Sequence, residues 1–318
     1  MTRTIVFLFL LGLGTFACTV QQESAQVANT SGDDFLGQWD VTVQGKETTY
    51  PSWFEITRQD DQLTGRFVGR VGSARPIQML KVNGNQLTFS LPVQYESNPE
   101  DLRFEGQLAE GKIQGTTKAA DGSILTWTAV PAPSLERTSP PNWGESIDLL
   151  SGSISDHWHA RSPEAPDNWT LSDGVLASSA TGTDLVTNQK FGDFRLHIEF
   201  KYPKESNSGI YLRGRYEVQI LDDPGEEPTS VGLGGLYGFL TPTVKAGKPA
   251  GDWQTYDITL VGRRVTVNLN DQTIIADEEI PGITGGALDS DEGAPGPIML
   301  QGDHGPISFR NIVLTPAR

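Results

Sequence analysis

The feature that most constrains this chain is a two-residue alternation of apolar and polar side chains, repeated in short runs through both halves. "SWFEITR", "LTGRFVGRVG", "QLTFSLPV", "LRFEGQLAEG" and "ILTWTAV" carry it in the first half. "FRLHIEFKY", "GIYLRGRYEVQILD", "QTYDITLVG", "RVTVNLN" and "ISFRNIVLT" carry it in the second. Successive side chains of an extended chain point to opposite faces, so each run can bury one face and wet the other. The runs are separated by turn chemistry: "RQDDQ", "VNGNQ", "AEGK", "AADGS". With 35 glycines and 20 prolines in 318 residues, short elements joined by turns are favoured over long helices. No helical periodicity of useful length is present. The chain is predicted to be all-β: a small antiparallel β-barrel or meander domain, followed by a two-sheet sandwich.

The boundaries follow from composition. Residues 1–18 read as a lipoprotein-type signal peptide: Arg3, the apolar stretch Ile5 to Gly14, then "TFAC" ending at Cys18, the one cysteine. Lipid attachment at Cys18 is expected, anchoring an exported protein at the bacterial cell envelope, in the periplasm or on the outer membrane. Thr15 stands where a lipobox usually has leucine. Residues 19–33 are a polar tether, 34–130 the small β domain, 131–145 a proline-rich linker and 146–318 the sandwich. "GQW" at Gly37 to Trp39 resembles the opening strand of lipocalin-type barrels. The formal net charge of -16 excludes nucleic acid as a partner, because an acidic surface repels a phosphate backbone.

"NSGIYLRGRYEVQILDD", Asn207 to Asp223, concentrates the chemistry. At a period of two, Ile210, Leu212, Gly214, Tyr216, Val218 and Ile220 form one face, and Tyr211, Arg213, Arg215, Glu217 and Gln219 the other. The second face is either wet surface, with Arg213 and Glu217 as ion partners, or the wall of a polar groove. "GLGG" at Gly232 to Gly235 is a loop, since no helix follows it. "LDSDEG", Leu288 to Gly293, gathers three carboxylates; solvated surface and a structural calcium loop are both open readings.

Four blocks carry a resemblance: "FGDFRLHIEFKYPKESNSGIYLRGRYEVQILDD", "GGLYGF", "PAGDWQTYDITLVGRRVTVNLNDQTII" and "DHGPISFRNIVL". In order and spacing they are similar to the 3-keto-disaccharide hydrolase domain family over about Ser146 to Thr315. The hairpin that usually carries Asn-Gly has Asn270-Asp271 here. The resemblance implies a concanavalin A-like jelly roll, often on exported lipoproteins, acting on sugars oxidised at C3.

A ketone at C3 acidifies the C2 proton, so the reaction needs a base at C2, positive charge or donors at the enolate oxygen, and an acid for the leaving oxygen. Glu217 and His304 are the candidates for base and acid, and Arg213 for the enolate oxygen. Asp222 is a second carboxylate that a conventional glycosidase pair would need. Gln219, Tyr237 and Asn270 are expected to orient hydroxyls, and Trp253 to stack on a sugar face. No metal or other cofactor is called for beyond the calcium reading. The alternative to hydrolysis of 3-keto-glycosides is a carbohydrate-binding β-sandwich module without chemistry.

Overall fold

The computed structural model describes residues 32–46, 48–223 and 225–318. The signal segment, Cys18 and nearly all of the tether lie outside the described residues. Helix among the described residues is confined to a 3-10 turn at Gly32–Phe35 and one α-turn at Ile154–His157.

The first half forms one nine-stranded antiparallel sheet. Its first strand, Gly37–Gln44, lies between Thr49–Gln59 and the last strand, Ile124–Pro131, which curls the meander back on itself. The sheet is open only between Arg75–Pro76 and Gln78–Asn83. The buried alternation fills its interior with rings. Trp39, Phe54, Phe67, Phe89, Phe104 and Trp127 stack and tilt against one another at centroid separations of 4.9–6.4 Å. These rings pack the interior of the barrel-like sheet, and a cavity of about 770 Å³ opens at one end of it beside Trp39, Leu108 and Pro131.

The second half is a sandwich of two antiparallel sheets with a jelly-roll arrangement. The larger sheet centres on Phe194–Lys201, Gln254–Val261 and Ile307–Pro316. The smaller has five strands, in the order Trp158–Ala160, Leu185–Thr187, Met299–Leu300, Asn207–Leu212 and Tyr216–Leu221. Ile198, Phe200, Tyr256, Ile258 and Phe309 of the larger sheet share one core with Ile210, Leu212, Tyr216, Val218 and Leu300 of the smaller.

The run from Gly209 to Asp222 is corrected here. It is not one strand but a hairpin, in which Leu212 pairs with Tyr216 and the chain reverses over Arg213, Gly214 and Arg215. Arg213 and Gly214 both take positive φ, 52° and 67°. Gly214 accommodates that conformation without cost, whereas Arg213 is held there by its contacts.

The two halves are docked. Trp53 and Val68 of the first join the sandwich core, and the Trp53 ring meets Phe239 edge-on at 5.4 Å. The Gly286 N–H donates to the Arg70 carbonyl at 2.9 Å. Asp40 is buried beside Glu292, with Arg263 and Arg215 close by.

Candidate active site

The outer face of the five-stranded sheet carries most of the residues of interest. Its register sets His159, Val186, Met299, Tyr211 and Glu217 in one line across the strands. The neighbouring line holds Gln301, Gly209 and Gln219; the Gln301 N–H donates to the Gly209 carbonyl at 3.0 Å, and Gly209 pairs with Gln219. Val186, Tyr211 and Met299 form a small buried apolar cluster with Leu288, so the polar side chains stand on a dry base.

Glu217 is the centre of this arrangement and is only 4% exposed. Its N–H donates to Thr284 Oγ1 at 3.0 Å and its carbonyl accepts from the Tyr237 N–H at 3.0 Å. Its side chain lies across Gly209: a Cβ there would stand 2.9 Å from Glu217 Cγ and nearer still to Oε1. Burial pushes the Glu217 carboxyl up to about 8. The Tyr211 hydroxyl and the His304 charge oppose that rise; Asp303 and Asp184 add to it. A carboxyl so placed is a far stronger base, once ionised, than an exposed glutamate.

His304 reaches the site from the loop before Ile307–Pro316. Its Nδ1 is hydrogen-bonded to Asp303, which raises the imidazole above its ordinary value, and the charges of Asp303, Glu217 and Asp184 act in the same direction. Asp184 is buried, accepts the Gly302 N–H at 2.9 Å and receives Arg161 Nη1 at 3.0 Å. Tyr237 is near enough to Glu217 for its phenol to be raised partly by that carboxylate, after burial and Tyr95.

Three amide oxygens complete the surface. Asn207 Oδ1, Gln219 Oε1 and Gln301 Oε1 are buried and have no hydrogen-bond partner. Gln219 and Gln301 share the line of Gly209, and Asn207 precedes Gly209 by two residues on the same strand. Buried acceptors without donors are uncommon in folded proteins, and hydroxyls of a bound molecule would satisfy them.

Of the residues expected from sequence, the structure brings together Glu217, His304, Gln219 and Tyr237. It places four others elsewhere. Arg213 turns to the core side of the hairpin, where its guanidinium packs 5.1 Å from the Tyr216 ring and donates to the Gly262 carbonyl at 2.5 Å. Asp222 closes the opposite end of the hairpin and accepts the Glu205 N–H at 2.8 Å. Asn270 ties a turn of the larger sheet, accepting from the Thr255 N–H at 3.0 Å and donating to the Ala246 carbonyl at 2.8 Å. Trp253 immediately precedes a strand of the larger sheet, with Arg310 4.1 Å and Lys201 5.0 Å from its ring centroid.

The carboxylates of "LDSDEG" are directed apart: Asp289 accepts Arg215 Nε at 2.6 Å, and Glu292 accepts Arg263 Nη1 at 2.9 Å and the Tyr216 hydroxyl at 3.0 Å. Among the described residues, no group of three or more His, Cys, Asp or Glu side chains is placed to hold a metal ion. Sequence reasoning missed Asp184, Arg161 and Gln301. Each lies just beyond the end of a short strand, and only the strand order of the folded sheet makes them neighbours.

Residues 145–315 match the 3-keto-alpha-glucoside-1,2-lyase-like domain. The 3-keto-disaccharide hydrolase of Bacteroides thetaiotaomicron is 22% identical over 207 residues, covering 54% of this chain and 71% of that protein. A solved Parabacteroides distasonis protein, provisionally designated a glycosyl hydrolase, is 28% identical with a TM-score of 0.45, covering 56% of this chain and 92% of its own. Bacillus licheniformis β-glucanase is 12% identical with a TM-score of 0.36, covering 57% of this chain and 100% of its own. The matched stretch takes in more than half of the chain, including Glu217, His304, Asp184 and the amide cluster. This chain is a member of the 3-keto-alpha-glucoside-1,2-lyase-like domain family.

Proposed function

We propose that this protein is a carbohydrate-acting hydrolase that cleaves 3-keto-glycosides, by elimination followed by hydration, on the outer face of its five-stranded sheet. The observation that carries this reading is the buried Glu217, with its carboxyl raised to about 8, beside His304 and three unpaired amide oxygens. A conventional glycosidase needs two carboxyl groups facing across the bond. Here the buried carboxylate Asp184 is already tied to Arg161 and the Gly302 N–H, and Asp303 to His304. One strong base and one cationic acid suit an α-proton better.

In this scheme Glu217 removes the C2 proton, and the electron pair moves to the C3 oxygen as an enolate. The enolate re-forms the ketone, makes the C1–C2 double bond and expels the C1 oxygen, which takes a proton from the His304 imidazolium. Water then adds across the double bond, hydroxyl to C1 and hydrogen to C2, giving the free 3-keto sugar. Arg161 and the imidazolium supply positive charge toward the enolate, in place of Arg213. Gln219, Gln301 and Asn207 accept sugar hydroxyls through their free oxygens, and Tyr237 borders the ring. No cofactor enters any step.

The leader supports export and a lipid anchor at Cys18, which would hold the enzyme at the cell envelope with the sugar-binding domain beyond the tether. Partition of the full-length protein into detergent, lost in a Cys18→Ser variant, is the expected sign of that anchor.

The direct test is turnover of a 3-keto-disaccharide set against the same disaccharide unoxidised. Release from the ketone form alone, reduced about a thousandfold or more by Glu217→Gln, is the expected result. Tight binding of both sugars without release would favour a binding module.

A further inference from the structure

The first β domain packs its interior with rings and is docked against the side of the sandwich that carries Glu217. Its loop Gly69–Ala74 runs along two loops of the sandwich that border the site. A Cβ on Gly285 would stand 2.7 Å from Gly72 N, and one on Gly238 would stand 2.7 Å from Ser73 Cβ. The Tyr211 hydroxyl donates to the Gly285 carbonyl at 2.9 Å, and Gly238 directly follows Tyr237. The two domains thus meet beside the two tyrosines that adjoin Glu217.

A second loop of the first domain, Gln94–Glu96, is held against Gly69–Ala74. Arg75 Nη1 donates to Glu96 Oε2 at 3.0 Å; the same oxygen accepts the N–H groups of Gln94 at 3.0 Å and Tyr95 at 3.3 Å. Gln94 Nε2 donates to Ser73 Oγ at 3.0 Å. This clamp fixes the backbone at Tyr95 and leaves its side chain 65% exposed. The Tyr95 ring lies against Gly72, where a Cβ would stand 2.9 Å from Tyr95 Cδ2, next to the Ser73 that packs on Gly238, and its phenol is near enough to Tyr237 to help raise that phenol. An aromatic ring that is largely exposed, carried on a hydrogen-bonded backbone and next to a site residue has the properties of a sugar-contacting platform.

We infer that Tyr95 of the first β domain is a specificity-determining residue of the site in the second, contacting the part of the substrate beyond the scissile bond. The assignment rests on the glycoside-cleaving reading above. Glu217 lies on the floor, so the ring bearing C2 must enter deepest. The remainder of a disaccharide then extends toward the rim, where Tyr95 stands. The first domain is on this account neither a spacer nor an independent module but one wall of a shared site.

The test uses the intact two-domain protein and two substrates: a 3-keto-disaccharide and the corresponding 3-keto methyl glycoside, which has nothing to reach the rim. Tyr95→Ala is expected to lower kcat/KM for the disaccharide about tenfold, mainly through KM, and to change that for the methyl glycoside less than twofold. Tyr95→Phe, which keeps the ring, is expected to retain most of the disaccharide activity. Since the side chain is largely exposed, loss of fold is not expected, and the methyl glycoside rate checks for it.

Equal losses on both substrates, or none on the disaccharide, would overturn the assignment while leaving the reaction in place. Wild-type protein inactive on both 3-keto substrates would overturn the reaction reading, and the assignment with it.

Discussion

Gly209 determines where the Glu217 carboxyl can be. It pairs with Gln219 on the partner strand, and the Glu217 side chain occupies the space that any β-carbon at 209 would fill. Gly209 does not have a positive φ, so alanine fits the backbone, and its cost falls on the position of Glu217 instead. Displacing a reacting group by an ångström lowers rates by about a hundredfold. Gly209→Ala is therefore expected to keep its unfolding temperature within a few degrees while kcat drops about a hundredfold. Steady-state kinetics alongside a thermal melt would check this, and an unimpaired kcat would show that Glu217 is not held as described. The glycine was visible in the sequence, but its role was not, because the contact is with a residue eight positions away across a turn.

That turn is the element whose identity the alternation concealed. The hairpin pairs residues whose numbers sum to an even value, as Ile210 with Val218 and Leu212 with Tyr216. The two-residue phase therefore continues unbroken from one strand into the next, and a period-two reading passes through the reversal. Gly214 between two arginines was the only local mark of it. The faces of Tyr211, Glu217 and Gln219 were legible for the same reason, since the phase survives. Arg213 and Arg215 were not, because residues of a turn leave both faces.

The overall fold was far more legible, because alternation and turn chemistry act locally and repeat in strand after strand. At the hairpin tip Arg213 and Arg215 act on the fold: one reaches the Gly262 carbonyl, the other Asp289 and the Ala294 carbonyl. Arg213→Ala should leave the Tyr216–Glu292 region short of positive charge. Breaking one side of a buried charged network costs on the order of 3 kcal/mol. Denaturant unfolding should register that loss, whereas KM for the substrate should stay unchanged. A raised KM with full stability would instead return Arg213 to the site.

At the scale of the whole molecule, the two domains share a buried acidic pair. Burial first, and then the Glu292 charge, push the Asp40 carboxyl up to about 8, against the pull of Arg263 and Arg215. A carboxyl whose folded value is raised binds its proton more tightly folded than unfolded. Its contribution to stability is therefore complete below the ordinary aspartate range and is lost as pH rises toward 8. Asp40→Asn removes that titration, so its melting temperature should fall less than the wild type's between pH 5 and pH 8. Parallel curves would mean that the Asp40 carboxyl is not raised in the folded protein. Loosening at this interface would also disturb the wall that the first domain supplies, which ties the fold of one half to the chemistry of the other.

The central claim is that Glu217 removes the proton on C2 of the oxidised sugar. The most direct measurement is kcat/KM for a 3-keto-disaccharide carrying deuterium at C2, compared with the unlabelled sugar. The account predicts a primary isotope effect clearly above one, with product that has gained a solvent hydrogen at C2. An isotope effect of one, together with product that retains the original C2 label, would mean that the glycosidic bond is broken without touching C2, and would contradict the account.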